Sequence, residues 1–459
     1  MSCTPKGYLL WLITAIWLLS LIAFCLAQFS VSSSFAETWG CRFWTIELTM
    51  VGLTGYLIIW TCILTCFLLS SSPPPFLVLC FAITGLLMHL PNGITTLVDY
   101  MCGSESISAS DYCTYSPVTM AVAILTTAIG ALYGALTTSS SPLTESRLLH
   151  TPRTLSRDSL RAVISQTEDL SVFNVSLKNI LVQRVVGTES HKRVQEYIIN
   201  SFKHLNWNIE LDTFNAETPI GNLQFKNIIA IHNPRAKRFL DIACHYDSKY
   251  YPGKNNFVGA TDSAVPCSMM IQIANNLNSA LGRASNDDLS LRFIFFDGEE
   301  AFQSWSQYDS IYGARHLAEK WKRTPYPEGG PHATQLNRID MLVLLDLLGA
   351  KNPEFYSFFS NTHRFYSMLA EAEGRLGEKR LLKSYGKRYF HRKSTDAYIE
   401  DDHLPFLAEN VPIVHLITVP FPNVWHTPRD DIKIVDIPTT GNLIKILTVF
   451  ISEYLRLSV

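Results

Sequence analysis

The pattern of apolar and polar positions changes character near residue 140. Before it lie four apolar stretches, roughly Tyr8 to Ala27, Ile46 to Ser70, Pro75 to about Tyr100 and Pro117 to Leu136. Each reaches the ~20 predominantly apolar residues that cross a bilayer as a helix. Three or four membrane helices are therefore expected over residues 1–137. The third stretch carries His89 and Pro91-Asn92-Gly93, which favour a kink or a re-entrant path. The first has some features of a signal peptide, namely Lys6, an apolar run and Ala27 before Gln28, but the spans that follow favour an uncleaved anchor. Residues 138–158 are rich in Ser and Thr and read as a linker. From 159 to 459, apolar runs alternate with helical periodicity. The runs are FKNIIAIHN, RFLDIACHYD, LRFIFFDGEE, MLVLLDLLG and VPIVHLITV, and the helical patterns include Val265 to Leu281, Ser310 to Trp321 and Thr362 to Leu376. Continuous apolar strands between helices predict an α/β domain whose central sheet is covered on both faces.

Composition sharpens this division. The net charge of −2 gives no field that would attract nucleic acid, and no basic arm or acidic tail is present. Residues 1–140 hold almost no charge, so the spans show no ion or proton pathway and read as an anchor or packing bundle. Of the ten cysteines, eight precede residue 114; Cys102 and Cys113 flank a polar loop, which suits either a small disulfide or two thiols. Only Cys244 and Cys267 fall in the α/β part. Their spacing alone favours two buried thiols over one disulfide.

Candidate chemistry sits where the apolar runs end, which is where such sheets place their ligands. The second run ends in Cys244-His245-Tyr246-Asp247, the third in Asp297-Gly298-Glu299-Glu300, and the fourth at Asp346. Asp262 lies between the second and third runs, and Trp425-His426 follow the fifth. Taken singly, a strand-end Asp or His is more often a helix cap or a satisfied polar group. As a set, Asp262, Glu300 and His426 supply the oxygen and nitrogen donors of a catalytic zinc that keeps one position open. Glu299, beside a ligand, is free to act as a general base. Adjacent side chains on a strand point oppositely, so the Glu-Glu pair must sit at a turn, and Gly298 supports one.

The order His-x-Asp, Asp, Glu-Glu, Asp, late His resembles the zinc aminopeptidase fold. The longer strings ACHYDSKYYPG, FVGATDSAVPC, FFDGEEAFQSW, DSIYGARHLA, LLDLLGA, EDDHLPFL and PFPNVWHTP resemble the glutaminyl-peptide cyclotransferase family, from about residue 160 to the C-terminus. They look most like its membrane-anchored Golgi form, with Glu400 in place of the Gln of the secreted form. The resemblance implies one zinc per chain held by Asp262, Glu300 and His426, with Glu299 as the proton-shuttling acid/base. It implies active-site carboxylates at Asp346 and Asp401, a buried active-site histidine at His415, and pocket walls at Trp305, Ile399, Phe421 and Trp425. Without it, Trp305 and Trp425 would read as core aromatics. It also implies a Cys244–Cys267 disulfide. The expected substrates are peptides and proteins with N-terminal Gln and, weakly, Glu; membrane lipid is the other expected partner, and nucleic acid is not one. Several spans depart from the family's anchored member, which has one.

Two rival readings use the same residues. A two-zinc aminopeptidase would add His245 and Asp346 as ligands and use water as nucleophile. A membrane scaffold with a dead enzyme domain would not need the intact ligand and base set. Sidedness is balanced between two signals. The positive-inside count sets Lys6, Arg147, Arg153, Arg157 and Arg161 against Arg42 and favours a cytosolic domain. The Golgi resemblance, the cysteine pair and the Asn174-Val175-Ser176 sequon favour the lumen. A luminal domain behind three true spans is the expectation.

Overall fold

The computed structural model describes residues 142–253, 256–284, 288–327 and 333–458. The four apolar stretches and the Cys102–Cys113 loop lie outside these residues. Among the described residues, no helix is long and apolar enough to cross a membrane.

A six-stranded sheet is built from β1 (Asn208–Thr218), β2 (Gly221–Ile231), β3 (Arg238–His245), β4 (Leu289–Phe296), β5 (Ile339–Leu345) and, at its far edge, the Ile413–Leu416 strand, β8. A separate parallel pair joins β6 (Phe355–Ser357) and β7 (Phe390–Ser394). The six strands run in the order β1-β2-β4-β3-β5-β8. β1, β2 and β4 pair antiparallel, whereas β4, β3, β5 and β8 are parallel neighbours. The sheet is thus mixed, and its parallel half follows the apolar runs.

All eight residues of β3 and all eight of β4 are buried. Alternate positions serve opposite faces: Leu240, Ile242 and Cys244 with Leu291, Phe293 and Phe295 join one cluster, and Phe239 and Ala243 with Ile294 and Phe296 join another. The first cluster is closed by α2 (Arg157–Ser165), α3 (Ser171–Ile180), α4 (Glu189–His204), α5 (Val265–Ala284), α7 (His363–Glu378) and α9 (Ile437–Tyr454); a short α1 (Pro142–Leu148) precedes them. The second is closed by α6 (Tyr312–Arg323) and the short α8 (Leu404–Leu407). Charged residues buried within the strands are paired. Arg292 donates to both oxygens of Asp241 at 2.8 and 2.7 Å, and its guanidinium stacks between Phe239 and Trp321.

β1 has no apolar run because it is an exposed edge; only Asp212 in it is buried, held by Asn227, His316 and Lys320. From Pro142 onward the segment expected to serve as a linker is laid against this unit. Leu155 N–H donates to Glu453 Oε1 at 2.7 Å, Arg153 N–H donates to the Glu453 carbonyl at 2.9 Å, and Ser156 caps α2 through Ser159 N–H.

Candidate active site

The carboxyl ends of the parallel strands converge on one cluster. β3 delivers His245, and Asp247 follows it. β4 runs into Asp297-Gly298-Glu299-Glu300, and β5 runs into Asp346. Between β3 and α5 the chain makes a wide turn, Ala260–Ala264, with Asp262 in non-helical conformation (φ −118°, ψ 74°). The loop after β8 brings His426.

The Glu-Glu turn is fixed from two sides. Gly298 has φ +68°, and a Cβ there would stand 2.3 Å from the Phe225 ring, so the position admits glycine alone. The first amides of α6 cap the turn: Ile311, Tyr312 and Gly313 N–H donate to the carbonyls of Glu299, Gly298 and Asp297 at 2.8, 2.8 and 2.9 Å. On the other side, Asp247 accepts the Glu299 and Glu300 N–H groups at 3.1 and 3.2 Å. The turn expected from the Glu-Glu pair is therefore present, and it gives the two side chains different surroundings.

Asp262, Glu300 and His426 place one donor atom each within 4.8 Å of one another. His426 Nε2 lies 3.4 Å from both Asp262 Oδ2 and Glu300 Oε1. Those two carboxylate oxygens are buried and accept no hydrogen bond. Two anionic oxygens aimed at a common point beside an imidazole are costly unless a cation joins them. The residues fit a divalent metal, and the mixed O, O, N donor set suits zinc. Burial, with Glu300 close by, pushes Asp262 up to about 7. Burial also pushes Glu300 up, but His426 and Lys249, whose Nζ is 3.2 Å from Glu300 Oε2, outweigh it and leave the carboxyl below its ordinary value.

Other polar atoms of the cluster pair with one another. His245 Nε2 is 3.0 Å from Asp262 Oδ1 and 3.5 Å from Asp346 Oδ1, and Asp346 also accepts the Ser263 hydroxyl. Burial disfavours a charged His245, but Asp247, Asp262 and Asp346 outweigh it and hold the ring's pKa well above the ordinary value. Glu299 differs from all of these. It is buried at 7% exposure, its side chain makes no hydrogen bond among the described residues, and burial pushes its carboxyl well above the ordinary value, with Glu300, Asp401 and Asp402 adding to the effect.

Around this centre Asp401 accepts from His415 Nε2 at 2.7 Å, and His415 packs against His403. Trp425 stacks on His426 with ring centres 4.1 Å apart, and Phe421 meets Trp425 edge-on at 5.0 Å. Trp305 and Trp425 are 38% and 41% exposed, so neither is a core aromatic. Ile399 is half-buried. The Cys244–Cys267 disulfide is not formed: both cysteines are free and buried, and Cys267 Sγ donates instead to the His245 carbonyl at 3.1 Å. The thiols are close enough to share a hydrogen bond, which together with burial raises Cys244 well above the ordinary thiol value.

Residues 227–451, from within β2 through most of α9, match Peptidase family M28. The chain is 50% identical over 291 residues to a glutaminyl-peptide cyclotransferase of Drosophila melanogaster, covering 61% of this chain and 79% of that protein. It is 45% identical over 325 residues to a glutaminyl-peptide cyclotransferase of Bos taurus, covering 68% of this chain and 90% of that protein. The chain belongs to the glutaminyl-peptide cyclotransferase family. Among solved structures, the glutaminyl cyclase of Macrostomum lignano superposes with a TM-score of 0.63 at 37% identity, over 67% of this chain and 96% of that one. The glutaminyl-peptide cyclotransferase fold is therefore the fold of the α/β unit.

Sequence reasoning missed several residues that act on this cyclotransferase site. Lys249 contacts Glu300, and its alternate spacing after His245 and Asp247 was a usable signal. Glu400 was read only as a marker of family branch, yet its Oε2 accepts the Trp305 indole N–H at 2.6 Å. Arg184 and Asp430 grip the Asp262 turn, and no local pattern announces either of them.

Proposed function

We propose that this chain converts the N-terminal glutamine of peptides and proteins to pyroglutamate with release of ammonia, using one zinc ion per chain. The observation that carries this reading is Glu299. It is a buried carboxyl without a hydrogen-bond partner among the described residues, raised by burial well above the ordinary carboxyl value and set beside the Asp262–Glu300–His426 donor set. Such a group accepts a proton and returns it within one turnover.

When bound, zinc polarises the γ-carbonyl of the substrate glutamine and stabilises the negative charge that develops on its oxygen. The chain's own residues do the rest. Glu299 takes a proton from the substrate α-amine as that nitrogen bonds to the γ-carbon. It then delivers the proton to the departing amide nitrogen as the C–N bond breaks, so one proton is moved and one ammonia leaves. Asp346, oriented by His245 and Ser263, is placed to accept a hydrogen bond from that nitrogen. Both reacting groups belong to one residue, so holding the glutamine in its folded shape is itself worth up to ~7–11 kcal/mol in ideal cases. Trp425, Phe421, Trp305 and Ile399 form the apolar wall that favours cyclisation over attack by water.

A single metal is favoured over two. His245, Asp262 and Asp346 also lie close enough to hold an ion, but they pair with one another and with Ser263, whereas Asp262 Oδ2 and Glu300 Oε1 accept no hydrogen bond among the described residues. Elemental analysis of the purified full chain should give one zinc per polypeptide. Two tightly held zincs would return the chain to the aminopeptidase reading.

The anchored, luminal placement belongs to the same proposal. It is supported by the four apolar stretches and by the Asn174-Val175-Ser176 sequon. Asn174 is exposed, although it lies on α3 rather than in a loop. In sealed microsomes the catalytic unit should resist added protease until detergent is present. Digestion without detergent would place it in the cytosol, as the charge count has it.

A further inference from the structure

Arg184 is completely buried, and among the described residues its guanidinium donates only to backbone carbonyls. The group points into the turn that carries Asp262. Nη2 donates to the carbonyls of Gly259 and Asp262, each at 3.0 Å, and Nη1 donates to the carbonyl of Val258 and to that of Val182 at 3.3 Å. Three carbonyl dipoles from residues 258, 259 and 262 therefore converge on one buried cation. Such a convergence repels itself unless a donor with several N–H groups in fixed directions fills it. The turn is tight enough that a Cβ at Gly259 would stand 2.1 Å from the Asp262 carbonyl oxygen. Arg184 is itself held by reciprocal bonds with Ser248, just after Asp247: its N–H donates to Ser248 Oγ at 3.0 Å and its carbonyl accepts Ser248 N–H at 3.2 Å.

The opposite side of the same turn is gripped by Asp430. Its carboxylate accepts Thr261 N–H at 2.9 Å and the Thr261 hydroxyl at 3.0 Å, and its carbonyl accepts Ala260 N–H at 3.0 Å. Asp430 is buried and lies four residues after His426, on the loop that carries that ligand. One carboxylate thus ties the Asp262 turn to the His426 loop.

We propose that Arg184 and Asp430 are positioning residues for the metal centre, forming a clamp that sets the distance between Asp262 and His426. Arg184 holds the carbonyls of the turn and Asp430 holds its amides. Neither reaches the donor atoms themselves. Asp262 is exacting in this respect because its two oxygens have separate tasks: Oδ1 meets His245 at 3.0 Å, and Oδ2 faces His426 at 3.4 Å. A small rotation of the turn would exchange one contact for the other. This inference rests on the metal-site reading above.

The test uses the full chain and four variants: Arg184→Lys, Arg184→Met, Asp430→Ala and Thr261→Val. Cobalt(II) and zinc affinities are measured by competition with a chromophoric chelator, the visible spectrum of the cobalt form reports donor geometry, and melting of the metal-free protein reports the fold. Arg184→Lys keeps the charge but cannot span three carbonyls. It should bind metal at least tenfold more weakly and shift the cobalt bands. Asp430→Ala should do the same, and Thr261→Val, which loses one bond of the clamp, should show a smaller change in the same direction. If the Arg184 variants do not fold, the Asp430 and Thr261 variants decide. Metal affinity and cobalt spectra equal to those of the unaltered chain in folded variants would overturn the clamp. Failure of the unaltered chain to bind cobalt or zinc would instead overturn the metal-site reading.

Discussion

Glu299→Gln is expected to lower kcat by about 100- to 10,000-fold while one zinc remains bound and the melting temperature is unchanged. Gln is close to Glu in size but can neither accept the amine proton nor release it to ammonia. The side chain makes no hydrogen bond among the described residues, so the change breaks none, and burying a neutral amide costs less than burying a carboxylate. The metal donors are Glu300, Asp262 and His426, which leaves the ion in place. Kinetics on a Gln-initiated peptide, with metal content measured on the same sample, check this. Retention of more than a small fraction of activity would remove Glu299 from the proton-transfer role.

Gly298→Ala should be the most damaging single-methyl change near the site. The added Cβ would sit 2.3 and 2.6 Å from two carbons of the Phe225 ring, at a φ of +68° that Ala adopts poorly. Phe225 is fully buried and stacks on Phe214 and Tyr312, so it cannot swing aside. Overpacking and backbone strain together should cost about 2–5 kcal/mol of stability. The Glu-Glu turn would move with it, so activity should fall further than stability alone explains. Gly253→Ala is the control. Its φ of +86° is similar, but none of the described residues lies within 4 Å of the added Cβ, so only the conformational part, about 1 kcal/mol, should appear in urea unfolding. Equal losses at the two positions would rule out the Phe225 contact as the cause.

Much of the sheet was legible because burial on both faces forces a largely apolar run. The five runs correspond to β2, β3, β4, β5 and β8, and the three helical patterns to α5, α6 and α7. β1 was not legible, because as an exposed edge strand it is polar at most positions and holds no apolar run. The candidate ligands could be found because strand ends are points where the chain must leave the sheet, and a carboxylate or histidine there stands out against apolar neighbours. What could not be read was everything that acts through the backbone. Arg184 works on carbonyls 75 and 78 residues away in the chain, and such bonds leave no trace in spacing or composition. Asp430 would have passed for an ordinary loop acid. Glu400 shows the same limit on the pocket side, since its hydrogen bond to Trp305 spans 95 residues.

The reaction itself is tested most directly by its products. The purified, zinc-loaded full chain is incubated with a peptide that begins with glutamine, and the mixture is analysed by mass spectrometry. Cyclisation requires a peptide that has lost one ammonia and kept every residue, with free ammonia appearing in equal amount. Release of free glutamine with a peptide one residue shorter, or an unaltered peptide beside fully bound zinc, would contradict it.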